Sequence, residues 1–173
     1  MRRTASIMMC GLVLALTGAV AAQKADRVSA TLTGPGEIPA VSTPAQGSFS
    51  AQINDGGWVD WTLTYSGLQA DVAQSHIHFA QPFANGGIVV WLCKTTQQNA
   101  PAGTLDCPAP REGTVSGTFD ASDVVAVTTQ GISAGDFQEV IDAMRSGLAY
   151  ANVHTAQSPG GEIRGQIKVG AGH

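Results

Sequence analysis

The sequence predicts an all-β domain, an antiparallel β-sandwich or Greek-key barrel carrying one short α-helix at about 133–146. Three observations predict it. Apolar and polar residues alternate through many short segments, clusters of Gly, Pro, Asn and Asp separate those segments, and only one stretch shows helical spacing.

The first strand is read from Val28, Ala30 and Leu32, which alternate with Ser29, Thr31 and Thr33 before Gly34-Pro35-Gly36. Gln46 to Ile53 and Trp58 to Tyr65 flank Asn54-Asp55-Gly56-Gly57, whose residues accept positive φ, so the pair reads as a β-hairpin. In its second arm Val59, Trp61, Leu63 and Tyr65 share the face expected to be core. Ser75 to Phe79, Ile88 to Leu92 and Gly113 to Phe119 read as three more strands, with a long Gln-, Pro-, Ala- and Gly-rich loop from Lys94 to Glu112. In the helix Ser133 is the expected cap, Phe137, Val140, Ile141 and Met144 form the apolar stripe, and Gly147 ends it. Leu148 to Thr155 and Glu162 to Val169 close the chain as two strands around Gln157-Ser158-Pro159-Gly160-Gly161.

Residues 1–22 read as a secretory signal peptide: Arg2 and Arg3, an apolar stretch from Ile7 to Val20, then small residues that place cleavage after Ala21 or Ala22. The apolar stretch is short for a bilayer, which takes about 20 residues, and no second one follows, so no membrane span is expected. Residues 23–173 then form a single domain with its core at about 28–169, exported to the periplasm or the medium. Without the signal, seven Lys and Arg face thirteen Asp and Glu, a net charge of −6, which argues against nucleic acid as a partner. Cys93 and Cys107 are the two cysteines left in an oxidising compartment and read as a disulfide that pins the long loop.

Three segments carry a family likeness: Leu32-Thr33-Gly34-Pro35-Gly36-Glu37-Ile38-Pro39, then Ser75-His76-Ile77-His78-Phe79, then Tyr150-Ala151-Asn152-Val153-His154-Thr155 running on to Pro159-Gly160-Gly161-Glu162-Ile163-Arg164-Gly165-Gln166-Ile167. In this order the chain resembles the CHRD (chordin-type) domain family. Where that family often has Gly after the His-x-His-x element, this chain has Ala80. The resemblance implies an extracellular module first described in chordin, a protein that binds bone morphogenetic proteins, found also as small exported bacterial proteins of undefined activity. On this reading the protein is a binding or structural module, its partner an extracytoplasmic protein or a small ligand, with no cofactor.

The alternative is a metal-binding protein, with redox chemistry within its range. His76 and His78 are two apart on a strand, so both imidazoles leave one face with Cβ atoms about 6.5 to 7 Å apart. His154 lies on another strand, where Asn152 and Tyr150 share its face, and a cluster of His76, His78 and His154 suits copper or zinc. A His-x-His strand in a disulfide-bearing barrel is also similar to copper-zinc superoxide dismutase, although that family needs further histidines and an aspartate, and only His173 remains here. The competing expectation is that the imidazoles are half-buried and hydrogen-bond to backbone carbonyls or to Asn152, fixing the strand pairing. Glu162 and Arg164 share a strand face in the same reading, as a candidate site or as an ion pair on a solvated face. Trp58, Trp61 and Trp91 offer aromatic area, Trp61 to the core. No nucleophile elbow, phosphate loop, zinc-protease helix or paired Cys-x-x-Cys is present, so no complete catalytic set is found and no enzyme is predicted.

Overall fold

The computed structural model describes residues 27–108 and 110–170. The expected signal peptide with its cleavage after Ala21 or Ala22, and His173, lie outside the described residues. Nine strands form one antiparallel sheet: β1 (Arg27–Thr33), β2 (Gln46–Asn54), β3 (Trp58–Ser66), β4 (Val72–Phe79), β5 (Gly87–Lys94), β6 (Gly113–Asp120), β7 (Ala149–Thr155), β8 (Ile163–Gln166) and β9 (Lys168–Val169). Their order is β5-β4-β7-β8-β1-β2-β3-β6, with β9 paired to β1. The sheet curls into a nearly closed barrel around Leu32, Phe49, Leu63, Ile77, Leu92 and Ile163, all buried.

The hairpin forms as its alternation predicts. Gly57 closes the turn on the Asn54 carbonyl with φ +89, a conformation that favours glycine. Trp61 is buried and Trp58 is 42 % exposed. At one end of the order, the edge of β5 is occupied by loops: Val125 N–H donates to the Val89 carbonyl and Cys107 N–H to the Lys94 carbonyl. Covering an edge in this way removes a template for pairing with other chains.

The helix α1 spans Phe137–Ser146, starting later than the expected 133. Gly135 at φ +87 interrupts helical backbone, and Ser133 is not a side-chain cap; its backbone N–H donates to the Asp136 carboxylate instead. Val140, Ile141, Ala143 and Met144 are buried, and Gly147 ends the helix at φ +75 as its type predicts. Among the described residues no helix is long and apolar enough to cross a membrane.

Cys93 of β5 is bonded to Cys107 across the long loop. The bridge closes a loop of about 15 residues, so replacing both cysteines by alanine should lower stability by about 3 kcal/mol. Intact-mass measurement with and without reductant, followed by urea unfolding, checks this; two alkylatable thiols in the native protein would contradict it.

A candidate metal centre on the outer face of β4 and β7

A half-exposed antiparallel sheet has one polar face, but β4 and β7 are buried on both. Ile77, Ala151 and Val153 are core residues, while His76, His78, Asn152 and His154, on the alternate positions, are also at most 7 % exposed. Three loops from distant parts of the chain roof this second face. The loop after β1 brings Glu37 and Ile38, whose carbonyl accepts from Asn85 Nδ2 at 3.1 Å; the loop before β5 brings Asn85 and Gly86; the loop before β8 brings Pro159. Burial here is therefore supplied by tertiary structure, and the half-buried state expected of the imidazoles is not what forms.

The imidazoles converge. Ring centroids of His76 lie 5.4 Å from His78 and 4.9 Å from His154, and one ring nitrogen from each of the three falls within 4.8 Å of the others. His78 Nδ1 is 2.9 Å from the Gly86 carbonyl and His154 Nδ1 is 2.9 Å from the Pro159 carbonyl. A carbonyl can only accept, so both rings carry their proton on Nδ1 and keep a lone pair on Nε2. This is the outer hydrogen bond that orients metal-binding histidines. Since His154 Nε2 holds a lone pair, His76 carries its proton on Nδ1 and donates it to His154 Nε2 at 3.2 Å, a bond that a bound ion would replace. Two nitrogens bound to one tetrahedral ion at 2.0 to 2.1 Å would stand about 3.3 Å apart.

Four buried side-chain atoms among the described residues lack a hydrogen bond of normal geometry: His76 Nε2, His78 Nε2, Asn152 Oδ1 and Glu37 Oε1. The Asn152 side chain stands against both His78 and Glu37 without a bond of normal geometry to either, and buried acceptors without well-placed donors are costly unless a cation or a donor meets them. Desolvation, reinforced by the neighbouring imidazoles, pushes His76 down to about 2 and His78 to about 4, and burial lowers His154 as well. The rings are therefore neutral at pH 7, the form that ligates metal. Burial pushes Glu37 up to about 7 against the pull of Arg164.

Aromatic side chains complete the walls. Trp91 meets His76 edge-on at 4.2 Å, and Tyr150 stacks on His78 at 4.6 Å with its plane tilted by 1°. Arg164 lies over the Tyr150 ring, its guanidinium 3.4 Å from the ring centroid and donating to Asn85 Oδ1 and the Ala84 carbonyl. The expected pairing of Glu162 with Arg164 on a solvated face does not form. Both are buried, Glu162 precedes β8, and its carboxylate accepts from Thr43 Oγ1, Gln69 N–H and Thr155 Oγ1.

The family model of the CHRD domain matches residues 28–167, from β1 through the whole histidine cluster. The chain belongs to the CHRD domain family. No curated protein matches it, and no solved structure does. The CHRD domain thus contains all three histidines, Glu37, Asn152 and Arg164 within the matched residues. A surface groove of about 1070 Å³ lies across β1, β2, β3 and β6, lined by Ser29, Ser50, Thr62 and Ser116, on the half of the sheet without the cluster.

Glu37 and Trp91 were not legible as members of this site. Glu37 sits in the Gly-Glu-Ile-Pro segment that the CHRD resemblance already highlighted, and that segment was the only signal for it. Gly161 is tied to Glu37 by packing: a Cβ there would fall inside contact distance of the carboxylate, at a φ that side chains avoid. Gly161→Ala should therefore displace Glu37 and cost more than about 2 kcal/mol in urea unfolding. A neutral result would mean that the loop before β8 yields freely.

Proposed function

We propose that this CHRD domain is an exported metal-binding protein that holds one copper or zinc ion through His76, His78 and His154. The observation that carries the reading is the convergence of three buried, neutral imidazoles, two with Nε2 lone pairs fixed by carbonyl bonds at Nδ1. His76 offers Nδ1 beside His154 and an unpartnered Nε2. When bound, the ion would supply Lewis acidity, or electron transfer if it is copper. The chain's own residues orient the rings, exclude water with Trp91 and Tyr150, and hold Glu37 against Arg164. Export fits the family's usual extracellular setting and the disulfide, which persists in oxidising compartments.

The test uses untagged protein from the exported fraction, analysed for metal and then titrated with zinc and copper. One equivalent should bind, and His78→Ala should remove tight binding while thermal unfolding remains cooperative. If the wild type binds neither ion and His78→Ala unfolds the domain, the imidazoles are packing residues. The CHRD domain would then be an extracytoplasmic binding or structural module, as the carbonyl bonds and ring contacts of the same residues also allow.

A further inference from the structure

Resting on that metal reading, we infer that the site discriminates by charge and favours monovalent copper over divalent copper and zinc. Imidazole donors suit both metals, so the donor type does not choose between them. The surroundings do. An ion taken out of water loses hydration energy that grows with the square of its charge, so a divalent ion forfeits roughly four times as much as a monovalent one. Buried divalent ions recover this from anionic ligands, and the cluster provides none: its three donors are neutral rings at 0, 7 and 6 % exposure.

The nearby carboxylates do not change the balance. Glu162 is committed to Thr43, Gln69 and Thr155. Glu37 is the other buried carboxylate, and Arg164 is close enough to oppose it electrostatically. With Glu37 ionised the two cancel; with Glu37 protonated only the guanidinium's positive charge remains. Neither state makes the surroundings negative. Cys93 and Cys107 are consumed in the disulfide, so neither supplies a thiolate. Trp91 and Tyr150 wall the rings with apolar surface, which keeps the local dielectric low and the charge penalty large.

The relative affinity for the two copper states is read directly as the reduction potential of the bound ion against aquated copper. For untagged mature protein from the exported fraction carrying one equivalent of copper, monovalent copper should be held at least about a hundredfold more tightly than divalent copper, raising the one-electron potential by about 120 mV. Zinc at equal concentration should not displace monovalent copper under anaerobic conditions. Arg164→Gln, which removes the guanidinium's positive charge from beside the cluster, should lower the potential. A potential at or below that of aquated copper, or displacement by zinc, overturns the inference and leaves the metal reading standing. Failure of all three ions to bind removes both.

Discussion

Glu162→Ala should destabilise the protein by about 3 to 5 kcal/mol, because three donors would lose one buried charged acceptor at once. The carboxylate is fully buried and accepts from Thr43 Oγ1 at 2.7 Å, Gln69 N–H at 2.9 Å and Thr155 Oγ1 at 2.8 Å. These bonds tie the loop before β2, the loop before β4 and the end of β7 to the start of β8. Thr43 and Thr155 can turn their hydroxyls elsewhere, but the Gln69 amide cannot. Urea unfolding measures the cost, and Glu162→Gln, which keeps the volume and one acceptor oxygen, should recover part of it. A cost below about 1 kcal/mol, the range of an exposed polar residue, would contradict the assignment.

Metal-free protein should lose stability steeply as the pH falls from about 6.5. Burial holds His76 at about 2 and His78 at about 4 and lowers His154, against 6.5 for each free ring. Unfolding below pH 6.5 therefore takes up a proton at His76 and at His78, and part of one at His154, whose ring is lowered in the same direction. Glu37 acts in the opposite direction: raised from 4.5 to about 7, it is protonated when folded and releases its proton on unfolding between those values. Two whole protons and part of a third gained against one released is a net uptake of at least one, or at least about 1.4 kcal/mol per pH unit near pH 5.5. Below 4.5 the Glu37 offset ends, and near pH 4 charging of His78 in the folded state begins to flatten the curve. The Glu37 contribution is lost as pH rises through about 7, and above that the curve levels off. Urea midpoints from pH 4 to 8 in the presence of a chelator report this profile. A flat curve between pH 5 and 6.5 would mean that the imidazoles are solvated.

The strands were legible because their apolar residues alternate and their turns carry the residues that turns need, as in Asn54-Asp55-Gly56-Gly57. The His-x-His pair was legible for the same reason, since a period of two fixes which side chains share a face. What the period cannot reveal is the roof. Glu37, Asn85 and Pro159 come from three loops, and only the closure of the barrel brings them over His76, His78 and His154. The helix start was misjudged at Gly135, a glycine with positive φ where the backbone leaves the regular period that pattern reading assumes, and the solvated setting expected of Glu162 and Arg164 failed because other loops bury both. Glu37 and Trp91 belong to the cluster through packing alone, a long-range property with no local spacing to announce it.

X-ray absorption at the metal edge of protein carrying one equivalent of copper or zinc tests the central claim most directly. The three histidines should appear as three imidazole nitrogens at about 2.0 to 2.1 Å, with the outer-shell scattering of the rings, and His78→Ala should remove one of them. A shell of oxygen neighbours with at most one imidazole, unchanged in His78→Ala, would place the ion elsewhere and contradict a metal centre built on β4 and β7.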